Sequence, residues 1–170
     1  LPGKRWGLFL FNKGGAAMAF LEHKIPPPLV ALLCAALAWW LASGDGGWRL
    51  PAPLRVPLGA LCLAAGVALD VWALAEFRRQ RTTPSPLAPQ RARAVVERGP
   101  YRFTRNPMYL GLVLILLALC LWRGHALALV APAVFVAYIT RYQIVPEERA
   151  LRAKFGAAYE GYLRRVRRWL

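Results

Sequence analysis

The sequence predicts an all-α protein: a polytopic membrane bundle of about four transmembrane helices, followed by an amphipathic C-terminal helix on the cytoplasmic face. Three observations carry that expectation. The 170-residue chain is 58% hydrophobic yet has a formal net charge of +15, a pairing that suits membrane spans joined by basic loops. Four apolar stretches are separated by connections rich in proline, glycine and arginine. The arginines are shared very unevenly among those connections, which is how topology is encoded.

The elements follow in order. Leu1–Ala17 has no clear period, and its apolar patch Trp6–Phe11 is too short for the core of a secretory signal. It is expected to be an upstream extension, with Met18 a plausible start and residues 18–170 a single domain. The first span, Leu29–Ser43, is entered through Ile25-Pro-Pro-Pro28 and left through Gly44-Asp-Gly-Gly47. The second, Leu54–Phe77, is long enough to cross with some tilt. The third and fourth, Pro107–Trp122 and Ala126–Thr140, fall short of the roughly 20 residues that a comfortable span needs. They are expected to run on into polar turns or to be shielded by the other helices. Between the second and third spans, Gln80–Pro100 reads as an irregular interfacial connection, long enough to act as a lid. After Pro146, Leu151, Phe155, Tyr159, Tyr162 and Val166 recur every three or four residues among charged ones, the pattern of an amphipathic helix or helix pair on a membrane surface.

Orientation follows from charge. The connection after the second span holds Arg78, Arg79, Arg81, Arg91, Arg93, Arg98, Arg102 and Arg105 against Glu97 alone, and the tail ends in Arg164, Arg165, Arg167 and Arg168. The opposite loops, around Asp45–Arg55 and Arg123–His125, are short and carry few charges. Both termini and the long connection are therefore expected in the cytoplasm, in an inner or plasma membrane. The same clustering argues against nucleic acid as a partner and for anionic membrane lipids. Cys34, Cys62 and Cys120 lie in apolar runs as small buried residues. With no CxxC and with His23 and His125 far apart, no metal site is expected.

Two polar motifs bracket the last apolar pair. In Arg105-Asn106-Pro107-Met108-Tyr109, Asn is suited to cap a helix and Pro to its first position. Free amides, the positive end of the helix dipole and Arg105 then make an anion site, although a plain helix start beside lipid phosphate satisfies the same pattern. In Pro146-Glu147-Glu148, the acids either favour a helix first turn or turn inward toward ligand hydroxyls or a cation. Tyr101, Tyr109, Tyr138, Tyr142, Tyr159 and Tyr162 are mostly explained by an aromatic belt, while offering ring faces to a cationic ligand. Asp70, inside the second span, is a functional suspect by default; the sequence favours a structural role beside an arginine. A hairpin of the third and fourth spans would bring both motifs to one membrane face.

The order Gly-Pro-Tyr-x-x-x-Arg-Asn-Pro-x-Tyr-x-Gly, a hydrophobic hairpin, then Glu-Glu-x-x-Leu-x-x-x-Phe-Gly-x-x-Tyr-x-x-Tyr resembles the isoprenylcysteine carboxyl methyltransferase family, grouped with the phospholipid N-methyltransferases. The resemblance covers Gly99–Trp169. It implies an integral-membrane methyltransferase using S-adenosylmethionine and releasing S-adenosylhomocysteine, with residues 99–170 forming the cofactor half. Cofactor contacts fall by correspondence on Tyr101, Arg105, Asn106, Pro107, Tyr109, Glu147, Glu148, Leu151 and Tyr159, and catalytic work on Glu147, Glu148 and Arg141. The implied acceptor is amphiphilic, a prenylated cysteine carboxylate in the first place, with a phospholipid amine or a small thiol as alternatives. Eukaryotic members usually read Arg-His-Pro where Arg105-Asn106-Pro107 stands, and carry an arginine where this chain has Gln143. From other classes, a small transporter using Asp70 and Arg141, or a lipid-binding scaffold, are the rivals. Oligomeric state is not encoded in any visible pattern.

Overall fold

Three consecutive prolines set the start of the first helix. Pro26 is its N-cap, and Pro27 and Pro28 occupy its first positions, where a missing N–H costs nothing and a fixed φ helps. The structure is a computed structural model that describes residues 24–44, 51–80 and 95–170. The expected extension Leu1–Ala17, Met18, His23, residues 45–50 and the Arg- and Pro-rich segment 81–94 lie outside the described residues.

Every regular element among the described residues is helical. Helix α1 spans Pro27–Leu41, α2 Ala52–Arg79 and α3 Pro107–Arg123; a short 3-10 turn, Gly99–Arg102, precedes α3. The chain then folds back at Gly124, whose φ of 69° closes α3 with its N–H on the Cys120 carbonyl. The return stretch is one helical rod, Ala126–Phe155. It contains a 3-10 turn at Ala126–Leu129, α4 at Val130–Ile139, a π turn at Thr140–Ile144 and α5 at Val145–Phe155. His125 Nδ1 accepts the Leu127 N–H at 3.3 Å and so caps the rod's first turn. Helix α6, Ala157–Arg165, follows a break at Gly156, which has φ 49°.

Two of these helices, α2 and the rod, are long and apolar enough to cross a membrane. Helices α1 and α3 have 15 and 17 residues. At 1.5 Å per residue they rise about 22 Å and about 25 Å, short of a hydrocarbon core of about 30 Å.

Pro146 does not start a separate helix, as its position after an apolar span suggests; the rod runs through it. A proline inside an α-helix lacks a hydrogen bond and clashes with the carbonyl four residues back. The wider π turn just before Pro146 relieves that conflict, because its carbonyls pair five residues on.

Small residues set the packing. Along α1, Ala31, Cys34 and Ala38, with Ala42 just past its end, form a stripe against Leu116 and Cys120 of α3 and Ala128, Ala131 and Phe135 of the rod. On α2, Gly59, Gly66 and Ala73 repeat at sevens and are buried. A Cβ on Gly66 would lie 2.8 Å from the Gly111 carbonyl oxygen, and one on Gly59 would collide with the Trp122 indole. Such small-residue seams let helices approach closely in lipid, where no hydrophobic effect pulls them together. Helix α1 packs on α3 and the rod rather than on α2.

Candidate functional site

The hairpin of α3 and the rod returns the second polar motif to the first. Tyr109 donates its hydroxyl to Glu147 Oε2 at 3.3 Å, and Arg105 meets Glu148 at 3.1 Å. Next to this junction lies a cavity of about 420 Å³, within the size range of small-molecule sites. Its walls come from four places: Pro26–Pro28 at the start of α1; Asp70, Val71, Leu74 and Phe77 on α2; Tyr101, Arg105 and Asn106 before α3, then Pro107, Met108, Tyr109 and Leu112; and Glu147 from the rod.

Local sequence explains each placement. Gly99 has φ 59°, and a Cβ there would press to 3.0 Å on the Trp72 indole. The glycine thus lets Pro100 and Tyr101 turn in, with Tyr101 edge-on to Phe77 at 5.3 Å. Asn106 is the N-cap by position, but its side chain does not cap α3. Its Nδ2 instead donates to the Arg168 carbonyl at 2.9 Å, and Thr104 Oγ1 accepts the Asn106 N–H at 3.2 Å. The capping oxygen is displaced because the C-terminal residues run alongside: Arg105 N–H donates to the Arg167 carbonyl at 3.0 Å, and Trp169 Nε1 donates to Thr140 Oγ1 at 3.3 Å. With Pro107 at the first helical position, the early N–H groups of α3 still lack intrahelical acceptors at the cavity wall.

Asp70 does not take the structural role beside an arginine. Among the described residues no arginine pairs with it. Its carboxylate sits in a niche opposite Gly111, where a Cβ would collide with it, and Oδ1 is buried without a hydrogen-bond partner.

The correspondence residues therefore divide. Tyr101, Arg105, Asn106, Pro107, Tyr109 and Glu147 share the cavity wall, while Glu148, Leu151, Tyr159 and Arg141 stand off it. Glu148, only 5% exposed, is held by Arg105 and by both Arg168 Nε (3.0 Å) and Arg168 NH2 (2.8 Å). That pairing raises the Arg168 pKa further. Tyr159 and Leu151 pack with Tyr162, Phe155 and Val166 under α6. Arg141 is in the π turn with its guanidinium 5.5 Å from the Tyr142 ring. Gln143 is fully buried and donates to the Ile25 carbonyl at 2.8 Å.

The aromatic-belt account also fails for four tyrosines. Tyr101, Tyr109, Tyr159 and Tyr162 are interior, and Tyr162 donates to the Tyr101 carbonyl at 2.8 Å. Burial pushes the phenols of Tyr101, Tyr159 and Tyr162 up, so they stay neutral. Sequence reasoning passed over Arg168 and Thr104 because both sit in runs with simpler readings, a basic tail and a turn; the Arg-Trp pair closing that tail was the available signal.

A sequence model described as phospholipid methyltransferase matches residues 54–158, well over half of the chain. The chain belongs to the phospholipid methyltransferase family. That family belongs to the isoprenylcysteine carboxyl methyltransferase group of membrane methyltransferases, whose members generally use S-adenosylmethionine. The matched residues hold α2 from Leu54 onward and the whole of α3 and the rod, and so most of the cavity wall. A relative from Haemophilus influenzae, named only as an uncharacterized protein, is 49% identical over 63 residues, 37% of this chain and the whole of the relative. No solved structure matches. As a member of the phospholipid methyltransferase family, the chain is a membrane methyltransferase.

The cavity suits the family's methyl donor on its own chemistry. Arg105 and the unpaired amides of α3 can take a carboxylate. Asp70 and Glu147 can take ligand hydroxyls or face a cation, and the Phe77 and Tyr101 rings lie beside them. The buried, unpartnered Asp70 Oδ1 and Arg105 Nε mark a wall whose polar groups are not used up among the described residues.

Proposed function

We propose that this chain transfers a methyl group from S-adenosylmethionine to an amphiphilic, lipid-like acceptor at the cytoplasmic face of an inner or plasma membrane, with α1, α2, α3 and the rod all crossing the bilayer. The observation that carries the reading is the convergence of Asp70, Arg105, Tyr109 and Glu147 on one largely apolar cavity at the junction of both polar motifs.

When bound, the cofactor supplies an electrophilic methyl group on a sulfonium centre. The residues of the chain hold, orient and dry the site. Arg105 and the first turn of α3 bind an anionic group at one end of the cavity. The Tyr101 and Phe77 rings and the proline entrance of α1 exclude water, which strengthens each polar contact inside. Glu147 Oε2, held by the Tyr109 hydroxyl, is placed to take the proton that an amine or thiol nucleophile loses. Glu148 meets Arg105 through a single contact at 3.1 Å.

The acceptor side favours an amine or a thiol over a prenylcysteine carboxylate. A second anion beside Asp70 and Glu147 in a poorly hydrated space would be repelled. The position that carries an arginine in the eukaryotic relatives holds Gln143, whose amide N–H already serves Ile25. Both α1 and α2 line the cavity while α1 packs on α3 and the rod rather than on α2, so the acceptor is proposed to enter from lipid between them.

The test is incubation of the purified, detergent-solubilised protein with methyl-labelled S-adenosylmethionine and a panel of phosphatidylethanolamine, alkyl thiols and prenylcysteine analogues. Label is expected in the amine or thiol members. Failure to bind either S-adenosylmethionine or S-adenosylhomocysteine would sink the proposal.

A further inference from the structure

Glu148 and Arg105 alone would form a closed pair. A carboxylate facing a guanidinium in a buried place tends to a two-bond fork, which would leave little of Arg105 for a ligand. The structure shows something else. Arg168 takes the fork: its Nε meets Glu148 Oε1 at 3.0 Å and its NH2 meets Oε2 at 2.8 Å. Arg105 is left one contact, NH2 to Oε1 at 3.1 Å, and its Nε is buried with no partner among the described residues. Arg105 also lines the cavity, whereas Arg168 and Glu148 do not.

The backbone fixes this arrangement. The Arg167 carbonyl accepts from Arg105 N–H at 3.0 Å and the Arg168 carbonyl from Asn106 Nδ2 at 2.9 Å. The segment that presents Arg168 to Glu148 is therefore stitched to the segment that presents Arg105 to the cavity. Charge points the same way: two cations share one anion, so the cluster keeps a net positive charge on the side facing the cavity.

We infer that Arg168 is a positioning residue for the anion-binding end of the cavity: by occupying both oxygens of Glu148 it holds Arg105 available to the carboxylate of the methyl donor. The inference rests on the cofactor reading above and adds to it a residue that touches neither cofactor nor acceptor. Without Arg168, Glu148 would turn fully onto Arg105 and neutralise it.

The decisive measurement is equilibrium binding of S-adenosylhomocysteine to the full chain in detergent micelles, for wild type, R168A, E148Q and R168A/E148Q, with helicity followed by circular dichroism. R168A is expected to weaken binding about tenfold, and R168K to recover part of it. In the E148Q background the same R168A change is expected to cost no more than about twofold, because a neutral amide no longer competes for Arg105. The KM for the methyl acceptor should stay within about twofold of wild type in R168K. Where R168A does not fold, R168Q carries the same comparison. Binding by R168A or R168Q within about twofold of wild type, or an equal loss in both backgrounds, overturns the inference; equal loss is what a merely tail-anchoring role would give. Absence of binding by wild type overturns the cofactor reading instead, so the two failures are told apart.

Discussion

Arg105 ties three parts of the site together: Glu148 through its guanidinium, Arg167 through its backbone, and the cavity itself. Replacing it by alanine removes a charged hydrogen-bond donor, worth about 1.5–3 kcal/mol to a ligand anion. Isothermal titration of R105A with S-adenosylhomocysteine should show affinity lower by about tenfold to a hundredfold; unchanged affinity would take Arg105 out of the site. Gly111 makes a different kind of prediction. A methyl group there collides with the Asp70 carboxylate, so G111A should cost about 1–3 kcal/mol of stability, and D70A/G111A should regain part of the lost melting temperature. The buried tyrosines set an alkaline limit. Tyr101, Tyr159 and Tyr162 hold their protons in the folded state, while in the unfolded chain phenols ionise near pH 10. Their contribution is whole below about pH 10 and declines as pH rises toward the folded values, because the folded state then binds more protons than the unfolded one. Thermal melts between about pH 8 and pH 11 should fall less steeply for Y159F than for wild type.

Among the elements, the rod shows how much of the site was legible in the sequence. The apolar runs marked α1, α2 and α3 to within a few residues, since hydrophobic length is a local property, but of the rod they marked only the start: it runs to Phe155, well past the expected end at Thr140. The motif order also brought Arg105 and Tyr109 near Glu147 and Glu148. Which glutamate faces the cavity was not legible, because it depends on helix phase. Each residue of an α-helix turns about 100°, and the π turn at Thr140–Ile144 adds a residue that no periodicity announces. Pro146 was the visible cue, but it reads equally as a helix start. The α2 seam of Gly59, Gly66 and Ala73 escaped for a related reason: small apolar residues look unremarkable until the facing helix is known. Deleting Tyr142 should restore a plain α turn and swing Glu147 off the cavity. Methyl transfer should be lost with far-UV circular dichroism unchanged; retained turnover would show that the phase does not matter.

For the molecule as a whole, the surface is as informative as the core. Leu32, Leu33, Trp39 and Trp40 on α1 and Leu61, Val67, Val71 and Trp72 on α2 are exposed, an apolar coat far larger than a soluble monomer carries. Among the described residues the buried polar side chains are Glu76, Thr104, Gln143, Glu148 and, at the far turn of the hairpin, His125. If the proposed four-crossing orientation holds, cysteines placed at Arg102 and Lys154 should both react with an impermeant maleimide from the cytoplasmic side only; labelling from the other side would overturn it. Narrowing the cavity with L74W should raise the KM of a long-chain acceptor several-fold while leaving S-adenosylhomocysteine affinity within about twofold; an equal effect on both ligands would mean that they share one route.

The separation of α1 from α2 has a consequence for traffic. With the acceptor entering between them, as proposed, rather than at the watery end of the bundle, its hydrocarbon tail stays in the bilayer throughout a turnover. Encounter then becomes a search in two dimensions, and the rate at a given total acceptor content should follow its mole fraction in the membrane and not its amount per volume of buffer. Diluting a fixed quantity of acceptor with inert lipid would slow the enzyme, while diluting the whole suspension with buffer would not.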